Sequence, residues 1–434
     1  MLSTILGQKF PDVGDSYGGF EMRRKGLQNS VRTLIVLALA AISCQPVCAQ
    51  QAFYLPLEGG GNGQPPLSFM RPHYFIHEAA GASLTTPPTT AFQPAQIRHA
   101  YGFDLLSNQG SGQIIAIVDA YDDPNAESDL GVFSKQFKLP VASTSNGSFR
   151  KVYASGKKPA TNANWSVEIS LDIQWAHAIA PKATIILVEA ASNSLSDLLK
   201  GVDIAVRNGA TVVSMSWDSG EFSGERNLDN HFVTSGVTFL AASGDAGTGV
   251  TYPAASPDVI AVGGTSLSLD ANGNYLGEAA WSGSGGGLSA HEHQPLYQAQ
   301  FGIPDDSRGV RGVPDVSYNA NPGTGYAVYD SVAISGASGR FQIGGTSAAT
   351  PQWAATVAIA NSMRAGLRKA SLSSTDVGLY SLAKTNLNGE FHSVIQGNNG
   401  LCGTICDALA GYDFVTGLGS PRANVLVPSL VSRP

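Results

Sequence analysis

The chain has 434 residues, 43% of them hydrophobic and 14% charged, with a net charge of −7. This composition excludes disorder over most of the length, and with no basic cluster beyond the N-terminal region it argues against nucleic acid as a partner. Length suits two or three domains, or one large α/β domain with processed ends, and the 50 glycines call for long loops and tight turns.

Met22-Arg23-Arg24-Lys25 precedes an apolar stretch from Thr33 to Ile42, and Val47-Cys48-Ala49 follows. This is the basic, apolar, small-residue order of a secretory signal peptide cut after Ala49, so residues 1–49 are expected to be a signal region and the protein secreted or periplasmic. The apolar part is too short for a membrane span. Residues 1–21 are an odd leader, which leaves two options: a true start at Met22 or an unusually long signal. Cys44 fits no lipoprotein box, because Ala41 stands where an aliphatic residue is wanted.

Residues 50–91 are polar and turn-rich, with Gly59-Gly60-Gly61 and two Pro pairs, and read as a mobile pro- or linker segment. The folded domain is expected over 92–434, opening on a short helix from Phe92 to Arg98. Apolar runs then alternate with helical stretches: Ile114 to Val118, Thr184 to Val188, Thr211 to Met215, Val237 to Ala242 and Val259 to Val262. Such runs read as buried parallel strands, and the helical period of Leu195 to Arg207 links two of them. The fold class is therefore α/β, with a mostly parallel central sheet covered on both faces. In such sheets sites gather at the carboxyl ends of strands, where Asp119, Trp217 and Ser243-Gly244-Asp245 fall.

Between these runs, Val167 to Ile179 has apolar residues at 169, 173, 176 and 179, the period of a helix face. Glu168 and Asp172, four apart, share another face, with Cβ atoms about 5–6 Å apart. Like charges at that spacing disfavour a helix. In a cleft such a pair would share a proton and one pKa would rise; on a surface it would be an ordinary solvated face.

Gly344-Gly345-Thr346-Ser347-Ala348-Ala349-Thr350-Pro351 delivers one serine to the start of an apolar helix running on to Met363. There the first N–H groups lack partners and the dipole favours negative charge. A serine so placed can attack a carbonyl while an N–H faces the oxygen that becomes negative. Taken alone, the octapeptide also reads as an N-cap serine and a first-turn proline.

A nucleophilic serine needs a base, usually histidine. The candidates are His73, His77, His99, His177, His231, His291, His293 and His392, and none precedes Gly-Thr, as the histidine of a subtilisin would. His291-Glu292-His293 is too tight for a HExxH zinc site, and no Gly-x-Ser-x-Gly elbow occurs. A carboxylate base remains, and Glu168 with Asp172 supplies it. Cys402 and Cys406, the pair left after signal removal, are expected to form a local disulfide; a metal pair is the weaker reading, with no second Cys or His pair nearby.

Glu168-x-x-x-Asp172, Ser243-Gly244-Asp245-x-Gly247 and Gly345-Thr346-Ser347-Ala348 with Pro351 together resemble the sedolisins, or serine-carboxyl peptidases. Trp281-Ser282-Gly283 to Gly287-Leu288-Ser289 and Gly411-Tyr412-Asp413 to Ser420-Pro421 extend the resemblance, which runs from about Phe92 to Pro421. It implies a subtilisin-like fold in which Ser347 is the nucleophile, Glu168 the general base, Asp172 its orienting partner and Asp245 the group facing the oxyanion. Asp119 stands near a further acidic group of some members, and otherwise reads as a turn residue. The family's calcium site would use Asp413, carbonyls of Gly411 and Leu409, and residues Ser393-Val394, where Ser393 replaces an aspartate; calcium prefers charged oxygens, so binding is expected to be weakened. The family's folded prosegment has no room between Gln50 and Phe92.

The sequence thus points to an acid endopeptidase working on proteins or peptides through an acyl-enzyme, expected to be a monomer. The alternatives are an inactive binding module on the same fold and a subtilisin-class enzyme using Asp119 and an unplaced histidine.

Overall fold

The computed structural model describes residues 69–77, 88–304 and 306–433. The expected signal region 1–49 and much of 50–91 lie outside the described residues. The central sheet runs, in spatial order, Tyr275–Ala280, Ile260–Leu269, Thr238–Ala242, Val212–Met215, Ile114–Ala120, Thr184–Ala190 and Phe149–Tyr153, and Val316–Asn319 also pairs with Ile260–Leu269. All pairings are parallel except that of Tyr275–Ala280. Every strand expected from the apolar runs is present, and the linking helix is Leu195–Arg207.

The two faces of the sheet follow from the period of two along each strand. On Ile114–Ala120, Ala116, Val118 and Ala120 pack with Leu198, Leu199 and Val202 of the Leu195–Arg207 helix. Ile115 and Ile117 face the opposite core with Trp175, Ala176 and Trp353. That core is built by the helices Ala163–Ile179 and Thr346–Gly366. Asp119 has the parity of Ile115 and Ile117, so the strand aims it at these two helices.

The Ala163–Ile179 helix starts at Asn162, whose side chain accepts from the backbone N–H groups of Asn164 and Trp165 and so satisfies two of the orphan donors. Everything from Trp165 to Ile179 is buried, which rules out a solvated face for Glu168 and Asp172. The indole N–H groups of Trp175, Trp217 and Trp353 donate to the carbonyls of Ala327, Val118 and Ser317, so these large side chains are buried without a stranded donor.

Two local readings differ from expectation. Ser347 is not the N-cap: Gly345 is, and Ser347 is the second helical residue. Pro351 lies in the second turn, where its missing N–H frees the Ser347 carbonyl; the Ser216 hydroxyl lies 3.5 Å from that oxygen and takes it up. In addition, residues 69–77, expected to be mobile, form two short strands. Arg71–Pro72 pairs antiparallel with Trp217–Gly220, and Phe75–His77 with Ala337–Gly344.

One buried ion pair ties the sheet to its neighbours. Arg311 donates to both oxygens of Asp315 (2.7 and 2.5 Å), with neither side chain exposed. Asp315 also accepts from the Ala261 N–H and the Tyr380 hydroxyl. Removing one partner strands a buried charge, so Asp315→Ala should cost about 3–5 kcal/mol. Urea unfolding of the variant against wild type measures it; a loss below about 1 kcal/mol would contradict a structural role for the pair.

Candidate active site

Gly345 makes the turn that presents Ser347. Its φ is +132°, and a Cβ there would stand 2.3 Å from the His73 carbonyl oxygen and 2.6 Å from Asp245 Oδ2. Only glycine fits so close an approach. Asp245 anchors the start of the same helix: its Oδ1 accepts from the Thr346 N–H (2.7 Å) and hydroxyl (2.8 Å), while Oδ2 is buried with no partner among the described residues. That free oxygen and the His73 carbonyl crowd one spot at the helix N-terminus.

Behind Ser347 lie Glu168, Asp172 and Asp119, all fully buried. Their six carboxyl oxygens have no hydrogen-bond partner among the described residues. Burial, then Asp172 and Asp119, hold the Glu168 carboxyl well above its ordinary value, against a lowering influence from the nearby Ser347 hydroxyl. Burial and Asp119 do the same to Asp172, with the Ser216 hydroxyl opposing. Burial pushes Asp119 up to about 8. Asp245 is also raised by burial, although His73 and its bonds to Thr346 work against the shift. The Ser347 hydroxyl points to the Ser216 carbonyl at 3.4 Å. The structure therefore brings Ser347, Glu168, Asp172, Asp119 and Asp245 into one cluster. Most of these carboxyls hold protons in acid, and crowded acids of this kind can share a proton.

Residues 71–77 lie across the cluster. The His73 N–H donates to Ser347 Oγ (3.2 Å), and the Ser347 N–H donates to the His73 carbonyl (3.3 Å). The Tyr74 hydroxyl donates to the Asn164 carbonyl at the start of the acid-bearing helix. Phe75 meets Trp281 edge to face, with centroids 5.9 Å apart. Sequence reasoning weighed His73 only as a base and gave Ser216 and Asp218 no role. The signal available was the pair of basic residues at 71 and 73, alternate positions of an extended segment.

The other expected residues lie apart from this cluster. Cys402 and Cys406 are joined in a disulfide. Asp413 is buried, and its carboxylate already accepts from the N–H groups of Leu409, Val415 and Thr416 and from the Thr416 hydroxyl. Ser393 brings no charge, so among the expected calcium residues Asp413 is the one carboxylate. Among the described residues no group of three or more His, Cys, Asp or Glu is placed to hold a metal.

The Subtilase family model matches residues 139–384, and fold and site together define a subtilisin-like serine peptidase. The chain is 33% identical over 403 residues to kumamolisin of Bacillus sp. (strain MN-32), covering 83% of this chain and 68% of that one. It is 33% identical over 241 residues to sedolisin of Pseudomonas sp. (strain 101), covering 48% of this chain and 38% of sedolisin. The solved structure of Pseudomonas sedolisin, complexed with two molecules of pseudo-iodotyrostatin, matches with a TM-score of 0.68 at 25% identity, over 80% of this chain and 98% of that one. The chain belongs to the sedolisin family of serine-carboxyl peptidases, and its substrates are proteins or peptides.

The raised carboxyl at Asp119 has a stability consequence with a definite sign. A carboxyl with a raised folded pKa contributes stability fully below its unfolded value, about 3.9, and loses it as pH rises through the folded value. Asn at 119 cannot titrate. Between about pH 4 and pH 8 the Asp119→Asn protein should therefore lose less stability than wild type. Comparing the two cancels groups that Asp119 does not influence, such as Glu189, also pushed up to about 8, and His177, pushed down to about 4 with the opposite sign, while loss of the Asp119 charge lowers Glu168 and Asp172 and so acts in the same direction. Urea unfolding at both pH values checks it, and equal losses would refute it.

Proposed function

We propose that the protein is an exported acid endopeptidase that cuts peptide bonds through an acyl-enzyme on Ser347. The observation that carries this reading is the path of residues 71–77 through the cleft. A peptide strand runs between two walls, with a carbonyl on the Ser347 N–H and chain continuing on both sides. A cleft that takes chain on both sides suits an endopeptidase. Among the described residues no helix is long and apolar enough to cross a membrane, and the basic and apolar order of residues 22–49 supports export.

In the proposed cycle Glu168 takes the Ser347 proton as Oγ attacks the substrate carbonyl carbon. The bond to the nitrogen breaks, and Glu168 returns the proton to the leaving amine. Water, deprotonated by Glu168, then attacks the ester and releases the new carboxyl end. Asp172 keeps a proton beside Glu168 and orients it, and Asp119 adds to the crowding that makes Glu168 a stronger base. The Ser347 N–H and a protonated Asp245 Oδ2 donate to the oxyanion. No step is routed through calcium.

Ser347→Ala and Glu168→Ala should each remove most turnover with the fold intact, and the double variant should be little worse than either, because such groups act as a unit. Rates on an unfolded protein substrate at acid pH, with circular dichroism as the folding control, test this. Near-normal activity in Glu168→Ala would remove the carboxylate base.

Asp245 can donate only while protonated, and ionised it opposes the developing charge. Activity should fade toward neutral pH, and Asp245→Asn, a donor at every pH, should keep part of the rate and extend it upward. Asp245→Ala should lose about 10²–10³-fold, the usual cost of one oxyanion donor. The pH profiles of both variants decide it; an unchanged decline in Asp245→Asn would assign that decline to Glu168 and Asp172.

A further inference from the structure

Residues 71–77 serve as a built-in ligand that reports the subsites. Taking the His73–Tyr74 bond as the one presented to Ser347, His73 is the residue on the acyl side of the reacting position, Pro72 and Arg71 precede it and Tyr74 follows. The backbone contacts fix this register independently of any side chain: His73 both donates to Ser347 Oγ and accepts from the Ser347 N–H. The antiparallel pairing of Arg71 with Asp218 and of Pro72 with Trp217 agrees with it.

In that register the His73 side chain enters a pocket with Asp218 at its end. His73 Nε2 stands 2.5 Å from Asp218 Oδ1, with 3% of the histidine side chain and none of the aspartate exposed. Arg71, on the same face of the strand two residues earlier, donates through Nε to the same oxygen at 3.2 Å. Despite its burial the Asp218 carboxyl is held below its ordinary value, by His73 and Arg71. The space is kept open by Gly244, whose φ is +113°; a Cβ there would stand 3.2 Å from Asp218 Oδ2 and 3.5 Å from Thr251. A buried carboxylate is costly unless a cation or hydrogen-bond donors meet it. Asp218 is not needed for the bond-breaking steps above, so its charge is free to serve recognition.

We propose that Asp218 is the specificity-determining residue for the side chain on the acyl side of the cut bond, selecting a cation (Arg, Lys or protonated His), with His73 as its internal occupant. This rests on the reading of Ser347 as nucleophile and sets the substrate class of that same site. A neutral side chain at this position, with no cation two residues upstream, would leave the buried carboxylate without a countercharge, a strong basis for discrimination.

The test is cut-site mapping. The full-length wild type and Asp218→Asn are each incubated at acid pH with a peptide library, and the new ends are identified by mass spectrometry. Paired peptides differing only in Arg or Leu at the acyl-side position then give kcat/KM. Wild type should cut predominantly after Arg, Lys and His. In Asp218→Asn the Arg-over-Leu ratio should fall by about two orders of magnitude, as expected for losing one buried charge pair. Asp218→Ser is the second variant if the amide does not fold. A wild type with no basic preference next to the cut, a basic preference only two residues upstream where Arg71 sits, or an unchanged ratio in the variants would each overturn the assignment. None of these depends on which carboxylate is the base, which the Glu168→Ala measurement decides separately. A folded wild type that cuts nothing, its own His73–Tyr74 bond included, would overturn both.

Discussion

The structure depends on keeping three carboxyl groups buried around one serine. Glu168, Asp172 and Asp119 are fully buried away from water, and among the described residues their oxygens have no hydrogen-bond partner of good geometry. Three isolated buried carboxylates would be prohibitively expensive, so the cluster holds protons and shares at most one charge among its crowded acids. That cost must be met by the packing around them. The cluster lies between two well-buried helices and a sheet whose opposite face is closed by a third helix. The three tryptophans that fill this packing each satisfy an indole N–H on a neighbouring element, which fixes their elements relative to one another.

The same constraint supports the proposal that a carboxylate serves here where other serine peptidases use an imidazole. A solvated glutamate is too weak a base for a serine hydroxyl. Burial raises its proton affinity, and neighbouring acids raise it further. The arrangement then suits acid conditions, where the neighbours hold their protons and the helix N-terminus with Asp245 supplies the donors for an oxyanion.

Much of this was legible in the sequence. Five apolar runs gave the strands because buried parallel strands carry no polar face. The i, i+4 acid pair within an otherwise uncharged helix and the glycine turn before Ser347 marked residues that the fold gathers into one buried cluster. What was not legible is equally physical. Residues 69–77 carry no periodic pattern, and their partners lie far along the chain: Arg71 meets Asp218, and His73 meets Ser347. Short strands added to existing edges draw their stability from those edges, so nothing local announces them. Asp218 follows a tryptophan at a strand end, where an aspartate reads as an ordinary turn residue. Asp413 matched a calcium motif in sequence, but only the structure shows its oxygens already bonded to amides.

Ser216, Trp217 and Asp218 show how one short segment can serve two tasks. In extended chain alternate side chains share a face. Ser216 and Asp218 both point to the cleft, while the Trp217 indole is anchored in the core through the Val118 carbonyl. Ser216 holds Ser347 at two points, taking up the carbonyl that Pro351 leaves free and accepting from the Ser347 hydroxyl. Two residues on, Asp218 meets the side chains of the strand lying against it. The buried tryptophan between them fixes both positions at once. Side-chain chemistry at 218 can therefore vary without moving Ser216, provided the backbone pairing and the indole anchor stay in place. Placing recognition on the pleat next to the nucleophile's support lets the acid cluster and helix N-terminus stay constant while the cleft wall sets which peptide is held.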